Sequence, residues 1–159
     1  MPIVFSHLNY VYSQKTPLAF SALKDINLEI KDGSFTMIVG HTGSGKSTLV
    51  QQINALLIPS SGEVNVNGII VNNDINKLKN IKELRKTVGL VFQFPEYQLF
   101  EETVLKDVSF GPKNFDYSDE ESETLAKEAL ALVGIDSSLF DKSSNFKVTN
   151  SSSSSEITG

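Results

Sequence analysis

The chain has 159 residues, of which 40% are hydrophobic and 21% charged, and this is enough for one globular domain but not for two. Its formal net charge of −5 argues against a general nucleic-acid-binding protein, which would carry a basic face. The absence of cysteine excludes a disulfide framework and a thiolate metal site, and it fits a reducing cytoplasm. We expect no signal peptide, because the N-terminus lacks a basic region followed by an apolar one. We also expect no membrane span, because no apolar run approaches roughly 18 residues.

The first quarter of the chain reads as β structure. Residues 3–12 are rich in β-forming side chains and predict a strand, and residues 13–17 predict a loop. Apolar residues alternate with polar ones over residues 26–30, which indicates a half-buried strand. A tight turn is expected at Asp32-Gly33, followed by a short buried strand over residues 35–39.

The next eight residues match G-x-x-x-x-G-K-[ST] at every fixed position: Gly40, His41, Thr42, Gly43, Ser44, Gly45, Lys46 and Ser47. Backbone N–H groups can converge on phosphate oxygens only where the chain wraps without Cβ obstruction, which explains the glycines. Lys46 offers a positive charge to the β and γ phosphates, and the Ser47 hydroxyl can bind Mg²⁺. Apolar residues at helical spacing follow, so a helix begins at the loop and adds its positive dipole end. The pattern predicts a nucleotide-binding loop.

An antiparallel β subdomain is predicted beside the parallel core that contains this loop. The loop helix should end near Ile58-Pro59, because proline disfavours a helical residue before it. Residues 63–66 alternate, Asn67-Gly68 is a hairpin turn, and residues 69–71 return as a second strand. Residues 77–86 are basic and predict a helix with a solvated face.

The remainder mixes one strand with two helices. Residues 88–92 predict a buried strand that ends at Gln93, and residues 103–110 predict a helix stopped by Gly111-Pro112. A capping box at residues 118–121 opens a second helix, whose apolar residues recur at helical spacing. Gly134 is expected to end that helix.

These motifs together resemble the ATP-binding subunits of ABC transporters, and closely the energy-coupling factor (ECF) group. Gly40 to Ser47 match the Walker A loop, and residues 88–93 match the strand and glutamine of the Q-loop. The run over residues 92–104 resembles ECF ATPases rather than exporters or DNA-repair proteins. Tyr12 matches the aromatic residue that stacks on adenine. The resemblance implies an α/β fold, a P-loop NTPase core with an antiparallel β subdomain.

The same resemblance implies an enzyme that couples hydrolysis of MgATP to uptake of a vitamin or metal ion. It implies catalytic roles for Lys46 and Gln93, Mg²⁺ binding by Ser47 and Gln93, and nucleotide contacts by Tyr12 and by the whole loop from Gly40 through Thr48. His41 fills a variable loop position, where no catalytic role is expected. The implied partners are a second ECF-type ATPase subunit, a transmembrane scaffold subunit and a substrate-binding membrane subunit, with no nucleic acid. The implied location is peripheral, on the cytoplasmic side of the cell membrane.

The likeness covers residues 1–143, about the first half of a full family member. The LSGGQ signature, the Walker B segment and the switch histidine do not follow, and residues 144–159 form a low-complexity, Ser-rich tail with a disordered composition. The nearest imitation of Walker B, residues 132–136, is rejected, because Ser137 stands where the base glutamate should be.

Two interpretations therefore remain open. One is an ECF-type ATPase subunit, and the other is a truncated fragment that binds nucleotide without hydrolysing it. The chain is expected to be a truncated product, and the strand before the phosphate loop is expected to expose apolar backbone edge.

Overall fold

A computed structural model describes residues 2–74 and 80–143, except for the side chain of Glu96. The chain divides into two compact units, Met1–Leu90 and Val91–Gly159, and each is considered by itself. Lys77 and Lys79 of the predicted basic helix lie outside the described residues, as does the Ser-rich tail over residues 144–159. No helix among the described residues is long and apolar enough to cross a membrane.

The first unit is built on a four-stranded sheet with the order β2-β1-β3-β4. Its strands are β1 (Ile3–Tyr12), β2 (Phe20–Ile30), β3 (Ser61–Val66) and β4 (Ile69–Asn72). Every neighbouring pair is antiparallel. The strands predicted over residues 3–12, 26–30, 63–66 and 69–71 are thus confirmed, as is the turn between β3 and β4.

The core of this unit lies against one face of the sheet. Phe5, Leu8, Val64 and Val66 come from the strands, and Leu84 comes from a short helix described below; all are 2% exposed or less. Phe5 and Leu8 are three positions apart, so simple alternation would place them on opposite faces. A register shift between them inserts an extra residue, and both side chains therefore reach the same core.

The extra residue of β1 is His7, and polar contacts stabilise its strained backbone conformation. His7 and Asp25 have positive φ angles of 47° and 45°. His7 Nδ1 lies 2.7 Å from Asp25 Oδ1, and the His7 N–H donates to Asn27 Oδ1 at 2.9 Å. The Asp25 N–H donates in turn to Asn9 Oδ1, also at 2.9 Å. His7 therefore organises the bulged edge of the β1–β2 pair.

Two helices complete the first unit. α1 (Lys46–Ile53) follows the loop, and α2 (Ile81–Thr87) places Leu84 in the core. α1 ends before the predicted Ile58, because Ala55 adopts a left-handed φ of 54° that an α-helix cannot continue. The Arg85 guanidinium of α2 donates to the carbonyl oxygens of Asn54 and Ala55, at 3.3 and 2.9 Å. The basic residue thus secures the end of α1 rather than only facing solvent.

The predictions of buried strands over residues 35–39 and 88–92 are wrong for this structure. Both runs are irregular, and they leave apolar side chains in solvent: Phe35 is 92% exposed, Val39 83% and Val91 79%. A strand exists only where another strand accepts and donates its backbone hydrogen bonds. The part of the chain that the structure describes pairs neither run with another strand, and it contains no parallel pair. The expected strand edge before the phosphate loop is therefore absent, because residues 35–39 are exposed but form no strand.

The second unit contains two helices that pack against each other, α3 (Val104–Asn114) and α4 (Asp119–Leu132). α3 continues past the predicted stop and includes Pro112. The capping box of α4 is confirmed, because the Ser118 hydroxyl accepts from the Glu121 N–H while the Glu121 carboxylate accepts from the Ser118 N–H. The predicted end at Gly134 is confirmed by its φ of 77°.

The rejected imitation of Walker B is a helix end. α4 stops at Leu132, Gly134 turns the chain, and Asp136 caps a short 3₁₀ helix over Ser137–Leu139. The Asp136 carboxylate accepts from the Ser138 N–H at 2.9 Å. Hydrogen bonds from Ser138, from its side chain first and its backbone second, lower the pKa of Asp136. The Asp136 carboxylate therefore serves as a helix cap.

Candidate functional site

The phosphate-loop motif runs directly into the first turn of α1. The Ser44 N–H donates to the His41 carbonyl at 3.2 Å and closes the loop. The Leu49 N–H donates to the Gly45 carbonyl at 2.8 Å, which is the first hydrogen bond of the helix. Gly45 is the N-cap residue, with φ of 88° and no side-chain cap. The first-turn N–H groups of α1 have no intrahelical acceptor, so they can donate to an anion.

One glycine of the loop is required by a close approach to the backbone. A Cβ on Gly40 would lie 2.6 Å from Ser44 Oγ, and rotation of the serine side chain relieves that contact. A Cβ on Gly45 would lie 2.8 Å from the Ala22 carbonyl oxygen, at a backbone angle that other residues rarely adopt. The end of the loop therefore rests on β2 at Ala22, and only glycine allows this distance.

The Lys46 ammonium is held by the loop itself. Lys46 Nζ donates to the carbonyl oxygens of Gly40 and His41, both at 2.8 Å, and it lies 3.5 Å from Ser44 Oγ. Carbonyl oxygens orient the cation without neutralising it, so its charge stays available to a ligand. In a chain with a net charge of −5, this local positive charge is what an anionic ligand needs.

Ser47 and Thr48 differ sharply in exposure. Ser47 is exposed in the first turn of α1, whereas Thr48 is buried. The Thr48 hydroxyl lies 3.0 Å from the Tyr12 hydroxyl, and the two share a hydrogen bond. The predicted aromatic residue of β1 is thus joined to the loop helix by its polar end.

Tyr12 is also supported from its own strand. The Tyr10 and Tyr12 rings meet edge to face, with centroids 4.8 Å apart and an interplanar angle of 86°. Burial first, and the neighbouring Tyr12 second, raise the pKa of Tyr10. The Tyr10 phenol is therefore neutral at physiological pH.

Loop, helix and strands enclose an open cleft of about 210 Å³. It is lined by the predicted site residues Tyr12, Gly43, Ser44, Gly45, Lys46, Ser47 and Thr48, together with Phe20 and Ala22 of β2. None of these described lining residues is a carboxylate. The volume is below the roughly 300–1,000 Å³ of pockets that enclose a drug-sized ligand, so the cleft can hold only part of a nucleotide. Its chemistry fits polyphosphate at one end and an apolar ring at the other.

Phe20 and Ala22 are the residues that the sequence reading missed. A usable signal was present, because an antiparallel return after the loop over residues 13–17 brings the start of the second strand opposite Tyr12. Gly40, His41 and Thr42, also predicted to contact nucleotide, do not line the cleft in the described structure. Gly40 and His41 act instead through their carbonyl oxygens on Lys46.

Gln93 lies in the second unit. It is exposed in a bend just before a 3₁₀ turn over Pro95–Gln98. It helps to line an apolar surface depression of about 350 Å³ with Phe92, Phe94, Tyr97 and Gln98. The structure describes the two units separately, so the predicted action of Gln93 at a metal ion stays a prediction.

The residues of the cleft fit a phosphate better than a tightly held metal ion. No cluster of three or more His, Asp or Glu side chains suited to a metal occurs among the described residues. Ser47 is the one predicted metal ligand in the cleft, and a hydroxyl alone is a weak ligand. Mg²⁺ is commonly held by few protein groups together with substrate phosphates, so Ser47 fits a metal that arrives with its nucleotide.

Comparison with known proteins places these features in context. The family described as ABC transporter matches residues 23–154. The chain is 55% identical over 143 residues to the "Energy-coupling factor transporter ATP-binding protein EcfA2" of Streptococcus pneumoniae, covering 90% of this chain and 51% of that protein. It is 53% identical over 143 residues to the protein of the same name from Caldanaerobacter subterraneus, covering 90% and 49%. The chain thus spans about half the length of these relatives.

Solved structures give the same picture. The ATP-binding cassette MJ0796, solved as a dimer in a post-hydrolysis state bound to ADP and Pi, is 32% identical with a TM-score of 0.71, covering 89% of this chain and 61% of that one. The cbiO1 protein of Clostridium perfringens, part of the ABC transporter complex cbiONQ, is 39% identical with a TM-score of 0.68, covering 89% and 53%. The predicted α/β ABC ATPase fold and the resemblance to the ECF group are both confirmed for the part of the fold that this chain spans.

Proposed function

This chain belongs to the ABC transporter family, and we propose that its first unit binds the phosphates and base of ATP as part of an ECF-type ATP-binding subunit. One observation carries the proposal. Lys46 Nζ, the open first turn of α1 and the Tyr12 ring meet in a single cleft. This combination supplies a cation, backbone donors and an aromatic face, which are the groups that a nucleoside triphosphate requires.

Each residue has a distinct part in the proposed binding. Lys46 pairs with the β and γ phosphates, and the N–H groups at the start of α1 donate to them. Tyr12 stacks on the adenine, while its hydroxyl holds it to Thr48. Ser47 is the proposed protein ligand of Mg²⁺, which would supply charge neutralisation at the phosphates when bound. Gly40 and His41 orient Lys46 through their carbonyl oxygens, and the Thr42 carbonyl lies 2.8 Å from His41 Nδ1 within the loop.

Binding is the activity that the described residues support most directly. Hydrolysis needs a group that orients the attacking water, and such groups are typically carboxylates or amides near the phosphates. Among the described residues, the cleft lining contains neither. We therefore propose that ATP hydrolysis, with Lys46 and Gln93 taking part, belongs to the whole protein of which residues 1–143 form the N-terminal part of the ATPase domain.

The partners and the location are also proposals. Relatives named as energy-coupling factor transporter proteins support a role in an uptake complex with a second ATPase subunit, a transmembrane scaffold and a substrate-binding membrane subunit. The Phe92, Phe94 and Tyr97 depression is an apolar surface suited to contact such a scaffold. We infer a peripheral position on the cytoplasmic face of the membrane, with a vitamin or metal ion as the transported class.

A displacement assay tests the binding proposal. A fluorescent ATP analogue is bound to the purified chain and displaced with ATP or tripolyphosphate. Lys46→Ala should weaken both competitors by about tenfold or more, the magnitude expected for loss of a charged hydrogen bond. Lys31→Ala, which removes an exposed lysine directly after β2, is the matched control and should bind as the unmodified chain does. Equal affinities for the two variants would contradict the proposal.

A further inference from the structure

Phe20 occupies an unusual place for an aromatic residue. It begins β2, directly opposite Tyr12 in the β1–β2 register. Residues opposite each other on antiparallel strands present their side chains on the same face of the sheet. Both rings line the cleft beside the phosphate loop. The strand pairing thus places two aromatic residues opposite each other in the lining of the cleft.

The two rings are held very differently. Tyr12 is fixed by its hydrogen bond to Thr48 and by the edge of Tyr10, and it is 38% exposed. Phe20 is 59% exposed, and it is not among the residues that form or pack against the hydrophobic core. A ring in that position is not explained by the folding of the sheet. Its remaining apolar surface is available to a ligand in the cleft.

The rest of the lining indicates which part of a ligand meets these rings. Lys46, Ser44 and Ser47 provide the positive charge and hydroxyl groups, and all belong to the loop. The β2 residues that line the cleft are Phe20 and Ala22, and neither has a polar side chain. An anionic group therefore binds at the loop, and a flat apolar group binds at the strands.

We propose that Phe20 determines base specificity by forming, with Tyr12, an aromatic platform that contacts the base of the bound nucleotide. This inference rests on the proposed nucleotide binding. Stacking grows with the overlap between aromatic surfaces, so the platform favours purines over pyrimidines. Phe20 makes no contact with the phosphates, and its contribution is confined to the base.

The inference is tested with ligands that do and do not carry a base. Affinities for ATP, CTP and tripolyphosphate are measured for the unmodified chain and for Phe20→Ala, Phe20→Trp and Leu18→Ala. Leu18 is 82% exposed in the connection before β2 and does not line the cleft, so Leu18→Ala is the matched control. Circular dichroism confirms that each variant keeps its sheet.

Phe20→Ala should weaken ATP by about tenfold, reduce the preference for ATP over CTP, and leave tripolyphosphate within about twofold. Phe20→Trp should restore both the affinity and the preference. Equal ATP affinities for Phe20→Ala and Leu18→Ala would overturn the inference while leaving the proposed function intact. Equal losses for ATP and tripolyphosphate would also overturn it, because the effect would then come from the loop. If the unmodified chain bound neither ATP nor tripolyphosphate, the proposed function would fail and the inference with it.

Discussion

The four-stranded sheet and the two runs over residues 35–39 and 88–92 contain the same kinds of apolar, β-forming residues. The sheet residues form paired strands, whereas the two runs are irregular and mostly exposed. Val64 and Val66 of β3 are fully buried, whereas Phe35 is 92% and Val39 83% exposed. Each strand of the sheet has a neighbour that completes its backbone hydrogen bonds. The described residues provide no such neighbour for the two runs. An apolar, β-forming sequence is therefore not sufficient for a strand.

Each of the two runs nevertheless has one residue that packs against the hydrophobic core. Ile38 and Val88 pack against the core of the first unit, although the residues around them stay in solvent. Each run therefore contributes one partly buried side chain to the packing of the first unit. What separates the runs from the sheet is the backbone pairing, which no side-chain contact replaces.

The largest expected effect is on the contact between β1 and β3. A Cβ on Gly62 would overlap the His7 carbonyl oxygen, and Gly62 has a φ of 74°. Gly62→Ala should destabilise the protein by at least about 3 kcal/mol, combining backbone strain with the clash. Gly68→Ala is the control, since Gly68 has a φ of 87° but nothing within 4 Å, and it should cost only about 1–2 kcal/mol. Urea unfolding of both variants measures the difference, and equal losses would mean that the sheet is not closely paired at the bulge.

A valine pair sharpens the comparison itself. Val64→Ala removes two methyl groups from a fully buried site and should lower the free energy of unfolding by about 2–3 kcal/mol. Val39→Ala makes the same chemical change at an exposed site and should stay within about 0.5 kcal/mol of the unmodified chain. Both values come from urea unfolding followed by circular dichroism. A large cost at Val39 would show that residues 35–39 are paired in solution.

A smaller effect on stability is expected in the second unit, for the capping box at the start of α4. Ser118→Ala breaks the capping box of α4 and should cost about 1 kcal/mol. Thr124→Ala, which removes a hydroxyl bonded to the Glu120 carbonyl within the same helix, is the control and should cost less. Thermal unfolding of the two variants tests the difference. A neutral Ser118→Ala would mean that the cap does not determine where α4 begins.

The smallest effect concerns acid stability at the bulge. The His7 side chain first, and Asn27 second, lower the pKa of Asp25. The pKa is lower in the folded state, so the stabilisation is present above the unfolded value of about 3.9 and is lost as the pH falls through the folded value. Asp25→Asn removes this titration, so its stability should fall less on acidification than that of the unmodified chain. The urea midpoints of the unmodified chain and of Asp25→Asn are compared near neutral pH and at about pH 2.5. Glu29→Gln, at an exposed position of β2, is the control.

Elements with local signals were predictable from the sequence. The capping box marks the start of α4, Asn67-Gly68 marks the β3–β4 turn, and the phosphate-loop motif marks the start of α1 at Lys46. Each is decided by residues within a few positions of one another, so no distant contact can overrule it. The same holds for most of the site, because the loop and its lysine are contiguous.

Features that depend on distant residues were not predictable. The sequence of residues 35–39 carries a strand pattern but not the identity of a pairing partner, and the prediction therefore failed. The bulge at His7 depends on Asp25 and Asn27, about twenty residues away, and it changes which residues of β1 face the core. Phe20 was missed for the same reason, since only the register of β1 and β2 sets it opposite Tyr12.

Hydrogen–deuterium exchange with and without MgATP tests the central claim most directly, because it reports on the sheet, the runs and the loop together. We predict slow exchange in β1 through β4 and fast exchange over residues 35–39. Added MgATP should slow exchange over residues 40–53 in the unmodified chain, and it should have no effect in Lys46→Ala. The account would be contradicted if MgATP left exchange at residues 40–53 unchanged, or if it protected them equally in the Lys46→Ala variant.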